Sequence, residues 1–186
     1  WRPPDGSKLV QVACGRRHTV VLDEHGRVWT LGDNKYGQLG RTSWSLSDKE
    51  PRLVDGPLGQ VDSGCFAICS GWSHILALTR DEKEHSFVAL HGWGRNDKGQ
   101  LGIGSVQDHV LVPRTLEPRL DSALISDSSI HAACCGAESS HVLDVNGNVY
   151  STGWNEHGNL AVGHMGNDVG DYSVTWMATS GASVVA

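Results

Sequence analysis

The side chains here that could do chemistry are ten histidines, five cysteines and 21 carboxylates, spread over 186 residues. Two histidines stand out by position. His18 and His74 each follow a glycine by three places, in Gly15-Arg16-Arg17-His18 and Gly71-Trp72-Ser73-His74. An imidazole so placed could act as a base or bind a metal. Its fixed place after a glycine turn predicts an internal hydrogen bond instead. His157 and the other histidines show no His-x3-His ligand spacing, and no Gly-x-Ser-x-Gly elbow, Walker loop or metalloprotease motif occurs. No carboxylate pair reads as an acid/base dyad. The expectation is a chain with no catalytic residue, no metal and no cofactor.

The cysteines, Cys14, Cys65, Cys69, Cys134 and Cys135, are odd in number and lack disulfide-framework or zinc spacing. Cys14, Cys69 and Cys135 recur just ahead of Gly15, Gly71 and Gly136, which reads as a small buried residue on an inner strand. Free thiols and the absence of a glycosylation sequon predict a reducing, intracellular compartment: cytoplasm, nucleus or an organelle. No signal-peptide pattern and no apolar run of membrane-spanning length is read. The formal charge is −6, and no basic run exceeds the pair Arg16-Arg17, so direct nucleic-acid contact is not expected.

A repeat must position these residues. Leu31 to Gly40 reads Leu-Gly-Asp-Asn-Lys-Tyr-Gly-Gln-Leu-Gly, Trp93 to Gly102 reads Trp-Gly-Arg-Asn-Asp-Lys-Gly-Gln-Leu-Gly, and Thr152 to Ala161 reads Thr-Gly-Trp-Asn-Glu-His-Gly-Asn-Leu-Ala. Aligned, they share Gly32, Gly94 and Gly153; Asn34, Asn96 and Asn155; Gly37, Gly99 and Gly158; and Leu39, Leu101 and Leu160; Gly40 and Gly102 close the first two copies. Glycine reaches positive φ without steric cost, and an Asn side chain can fix a turn by bonding nearby backbone. The Leu is the apolar anchor. A phosphate cradle is a weak reading, because no Lys-Ser or Lys-Thr pair and no helical pattern follows.

Around each decamer the strand signals repeat. Leu9 to Cys14, Thr19 to Leu22 and Arg27 to Leu31 read as strands, with a hairpin at Asp23 to Gly26. Phe66 to Cys69, Ile75 to Thr79 and Val88 to Trp93 repeat the pattern, with a longer, charged hairpin around Arg80 to Ser86. His131 to Cys135, Val142 and Leu143, and Asn148 to Ser151 repeat it again. Polar excursions follow at Arg41 to Gly59 and Ile103 to Ser129, the latter with an edge strand at Val110 to Val112. Strand-like runs at Ser173 to Ala178 and Ser183 to Ala186 read as the start of a further unit. The whole reads as one all-β segment of three units, 9–60, 61–129 and 130–186, the last running into a truncated further strand. Each is a four-stranded antiparallel blade of a β-propeller, unable to bury its faces alone.

With Gly-x-x-His, a hairpin and Trp-Gly-x-Asn-x-x-Gly-Gln-Leu-Gly in place, the chain resembles the regulator of chromosome condensation repeat family. Trp93 to Gly102 matches that signature throughout; Ser139 stands where His is usual, with His141 two places on, and Leu31 and Thr152 stand where Trp is usual. The string Gly153 to Asn159 resembles most the secretion-regulating and tubulin-suppressor types. The resemblance implies a seven-bladed ring, of which this is about three blades. It also implies a partner-binding rim at the two residues between Gly and His: Arg16 and Arg17, Trp72 and Ser73, Ala137 and Glu138. Of these, Arg16, Arg17, Trp72, Ser73 and Glu138 are the expected contact set, Trp and Arg being enriched in binding hot spots. The expected function is a non-catalytic scaffold for a protein partner, such as a small GTPase or a subunit of a larger complex. The alternative is a guanine-nucleotide exchange factor, which the basic side chains at these positions disfavour. A photoreceptor would need a dense Trp array, which one Trp at this place does not make.

Overall fold

The computed structural model describes residues 1–80, 88–117, 119–120, 123–124, 130–163 and 172–179. Three four-stranded antiparallel sheets follow one another along the chain. The first holds β1 (Leu9–Cys14), β2 (His18–Asp23), β3 (Val28–Asp33) and β4 (Ser47–Leu53). The second holds β5 (Cys65–Ser70), β6 (His74–Arg80), β7 (Val88–Asn96) and β8 (Gln107–Leu116). A two-stranded ribbon, β9 (Arg119–Leu120) with β10 (Ala123–Leu124), precedes the third. That sheet holds β11 (Ile130–Cys135), β12 (Ser139–Asp144), β13 (Val149–Trp154) and β14 (Tyr172–Ala178). A single 3-10 turn, Pro57–Gly59, lies between the first two sheets.

The second strand of each blade, flanked by its neighbours in the sheet, is mostly buried. Val20 and Leu22 in β2, Ile75 to Leu78 in β6 and Val142 in β12 are all buried, and they belong to one core that runs through the three blades. Outer strands tolerate proline because one edge carries no ladder partner. Pro51 in β4 and Pro113 in β8 sit on such edges.

The blades are equivalent in register as well as in order. Pairing shifts between Thr30 and Gly32, between Gly92 and Gly94, and between Ser151 and Gly153, each at the first glycine of a decamer. Those glycines have φ of 105°, 94° and 105°. A bulge with positive φ is what glycine permits and other residues resist. A second shift recurs near the start of each inner strand, at Leu9/Gln11, Cys65/Ala67 and Ile130/Ala132.

Two expectations need correction. Tyr172–Ala178 does not open a further unit: β14 pairs with β13 as the outer strand of the third blade. The run Ser183 to Ala186 and the hairpin tip at residues 81–87 lie outside the described residues. Nor are the repeated cysteines uniformly buried. All three sit on inner strands, but Cys14 is exposed and Cys69 and Cys135 are half-buried, because nothing among the described residues covers the inner edge of the arc.

Blade joins to blade through side chains that bond backbone. Gln11 in β1 receives the Ile68 N–H on Oε1 and donates from Nε2 to the Ile68 carbonyl, both at 2.9 Å. The Trp93 indole donates to the Gln38 carbonyl at 3.1 Å and packs under Gly40. In the third blade, where Thr152 replaces Trp, the buried Trp176 of β14 packs under Gly102 in the corresponding place. The Thr152 hydroxyl donates to the Gly99 and Ser173 carbonyls at 2.9 and 3.1 Å.

Candidate partner-binding rim

Each rim position starts from the glycine that ends an inner strand. The Gly15, Gly71 and Gly136 N–H groups donate to the carbonyls of His18, His74 and Ser139, each at 2.9 Å, closing the turn. These glycines do not have positive φ. They are needed for room, since a Cβ on Gly15 or Gly71 would overlap the imidazole of His18 or His74. The rings are buried and reach the next blade: His18 Nε2 shares a hydrogen bond with Ser70 Oγ and His74 Nε2 with Ser140 Oγ, both at 3.0 Å. The internal bond expected of them therefore joins neighbouring blades. Burial lowers both histidines from 6.5 to about 4, so they stay neutral at physiological pH. In the third blade His141 stands between Ser139 and Ser151, at 3.1 and 2.8 Å.

The decamers hold the rim from behind. Beyond each bulge glycine, an N–H donates back to the second rim residue: Asp33 to the Arg17 carbonyl and Arg95 to that of Ser73 at 2.8 Å, Trp154 to that of Glu138 at 2.9 Å. The first rim residues are linked to each other. Arg16 N–H donates to the Trp72 carbonyl at 3.0 Å, and Trp72 N–H to the Ala137 carbonyl at 2.9 Å. The loops are pinned by Asn34, Asn96 and Asn155, whose Oδ1 atoms accept from Leu39, Leu101 and Leu160 N–H at 3.0, 2.9 and 3.1 Å. All three leucines are buried, as their anchoring role requires. Gly37, Gly99 and Gly158 have φ of 73°, 72° and 72°, and Gly40 and Gly102 of 69° and 62°.

On this frame Arg16, Arg17, Trp72 and Ser73 line one groove of about 620 Å³ together with Asp33, Lys35, Tyr36 and Arg95. Trp72 is 45% exposed, and the Arg16 guanidinium lies over its indole at 5.1 Å. Lys35 and Arg95 approach the Tyr36 ring at 5.2 and 4.9 Å. Arg95 is held by Asp97 at 2.7 Å and by Glu138. Glu138 is thus tied to Arg95 and is not among the groove-lining residues. Among the described residues Arg16, Arg17 and Lys35 make no ion pair, so the groove carries net positive charge on an acidic chain. Sequence reasoning missed Asp33, Lys35, Tyr36 and Arg95. Their signal was that they occupy the non-shared positions of the decamers. Among the described residues no group of three or more His, Cys, Asp or Glu side chains could hold a metal ion.

The model of the regulator of chromosome condensation (RCC1) repeat matches residues 25–78 and 89–143, and a second model of the same repeat matches 9–38 and 67–100. The chain belongs to the RCC1 repeat family. Its relatives include the ultraviolet-B receptor UVR8 of Arabidopsis thaliana, 32% identical over 159 residues, which cover 85% of this chain and 32% of that protein. A protein RCC2 homolog of Xenopus laevis is 34% identical over 169 residues, 90% of this chain and 29% of that one. The probable E3 ubiquitin-protein ligase HERC4 of Homo sapiens is 32% identical over 153 residues, 82% and 13% of the two chains. The chain thus spans about a third or less of these RCC1-repeat proteins. In fold it is similar to yeast RCC1 (Prp20), with a TM-score of 0.73 at 24% identity over 95% of this chain and 38% of that one. Human WBSCR16 gives 0.70 at 24% identity, over 92% and 38%.

Proposed function

We propose that this chain is a non-catalytic propeller scaffold that binds a protein partner through the rim formed by Arg16, Arg17, Trp72 and Ser73. The observation that carries the reading is the groove these residues share, with three cations that make no ion pair among the described residues beside two aromatic faces. Guanidinium groups bind carboxylates with directional, charge-assisted hydrogen bonds, and a half-exposed indole supplies apolar contact. The chemistry fits a partner segment that presents carboxylates next to a flat or apolar side chain. A phosphodiester strand fits less well, because no basic run exceeds Arg16-Arg17 and the chain as a whole is acidic. Five cysteines without a disulfide among them suit an intracellular setting.

The test is fluorescence anisotropy with labelled peptides, one rich in Asp and Glu around a Tyr and one with the acids amidated. A single-stranded oligonucleotide serves as competitor. Binding of the acidic peptide, lost in a variant with Trp72→Ala and Arg17→Ala that melts like the parent, supports the rim. Equal binding by parent and variant, or preference for the oligonucleotide, overturns it. Exchange activity is the second reading, supported by the likeness to Prp20, for which binding to Gsp1p and histones has been described. Release of a fluorescent guanine nucleotide from a small GTPase, accelerated by this chain, would favour it over the scaffold.

A further inference from the structure

We propose that Cys69 and Cys135 are a thiol–disulfide modification site, converted by a small anionic disulfide of the glutathione class into a covalent link between the second and third blades. The two residues lie on inner strands β5 and β11, 66 positions apart in sequence, yet their sulfurs are 3.3 Å apart. Bonding distance is about 2.05 Å, so closure asks for a movement of about 1.3 Å, within reach of side-chain rotation. The backbones just beyond are already fastened. Trp72 N–H donates to the Ala137 carbonyl at 2.9 Å, and a Cβ on Gly71 would stand 2.6 Å from the Gly136 carbonyl. The His74 to Ser140 bond ties the same seam from one strand further out.

The site is also reachable. Cys135 lines a shallow groove of about 360 Å³ with Cys14, Gly15, Arg16, Gly71 and Trp72 among its walls. The Arg16 guanidinium at that groove offers a partner for a carboxylate of the incoming reagent. Cys65, by contrast, is buried and is not among the walls of that groove.

The step balances as two exchanges. One thiol of the pair loses its proton, and the thiolate attacks a reagent sulfur. The reagent S–S bond breaks, a mixed disulfide forms, and one reagent thiolate leaves and is protonated. The second protein thiolate then attacks the protein sulfur of the mixed disulfide, and the other reagent thiolate leaves. Two protein thiols are oxidised by two electrons, and one reagent disulfide is reduced to two thiols. Burial and the neighbouring thiols push Cys135 well above the usual thiol range. If Cys135 is the attacking thiol, the rate rises roughly tenfold per pH unit while that group is still protonated.

The experiment incubates the folded chain with oxidised glutathione, blocks remaining thiols, digests without reduction and maps the linked peptides. The expected product is an intrachain peptide pair joined through Cys69 and Cys135, reversed by dithiothreitol. Cys69→Ser and Cys135→Ser each abolish it, whereas Cys14→Ser with Cys134→Ser leaves it. Glutathione confined to Cys14 and Cys134, a Cys69 to Cys134 link, disulfide-linked dimers, or a link that forms only in urea would overturn the assignment. The peptide map of the parent chain decides the case even where a serine variant folds poorly.

Discussion

Acidification should loosen the seams between blades, and the two buried histidines set the size of the effect. In the folded chain His18 and His74 stay neutral down to about 4, whereas the unfolded chain takes up those protons near 6.5. Between these values the unfolded state binds more protons, so stability is full above about 6.5 and falls as pH drops toward 4. At pH 5 each histidine costs about 2 kcal/mol relative to pH 7, from a difference of roughly 1.4 kcal/mol per pH unit. Together they cost about 4 kcal/mol, a large part of the 5–15 kcal/mol that typically holds a domain. Urea unfolding followed by Trp fluorescence at pH 7, 6 and 5 reads this directly. A variant with His18→Asn and His74→Asn should be less stable at pH 7 but lose about 4 kcal/mol less on going to pH 5. All other titrating groups are common to both chains and cancel. Parallel pH profiles for parent and variant would refute the reasoning. So would imidazole proton resonances of His18 and His74 that titrate near 6.5 in the folded chain.

Other substitutions test the frame. Gly71→Ala should destabilise by about 2 kcal/mol or more, because the new methyl meets the His74 ring and the Gly136 carbonyl; an unchanged thermal midpoint would contradict the close approach. Ala161 holds φ 55° where the other decamers carry glycine, so Ala161→Gly should stabilise by about 1 kcal/mol in denaturant titration. Gln11→Ala removes both bonds to the Ile68 backbone and should cost about 1–3 kcal/mol, with faster amide exchange at Ile68 as its local signature. Asn96→Ala should release the second decamer, seen as faster exchange at the Leu101 amide with little change in the Leu39 amide.

Much of the architecture was readable because glycine records backbone conformation in the sequence itself. Gly32, Gly94 and Gly153 mark positive φ and a bulge, and no other residue type would be placed there at low cost. The leucines and asparagines of the decamers were readable for the same local reason: their bonds close within five residues. What escaped depends on contacts between distant parts of the chain. Nothing near Thr152 announces that Trp176, from another strand, packs under Gly102 where a family Trp is expected. Nothing local to Glu138 signals its ion pair with Arg95 of the neighbouring blade, 43 positions away. Asp23 and Asp144 close β2 and β12, and nothing in their local sequence marks their burial. Each is buried and accepts two backbone N–H bonds plus two side-chain bonds, from Arg27 and Trp29 or from Asn148 and Tyr150. Burial alone would raise these carboxyls, but the hydrogen bonds outweigh it and hold them below the usual range.

The relay from Arg16 to Trp72 to Ala137 uses only main-chain atoms. Side chains at those three sites are therefore not needed to hold the relay itself, so successive blades present their first rim residue at a fixed spacing whatever its type. Exchanging Arg16 and Arg17 for acidic residues would reverse the polarity of the surface while every joint beneath it stayed closed. Changes confined to the first rim residues alter what the surface presents while the main-chain links between the blades persist.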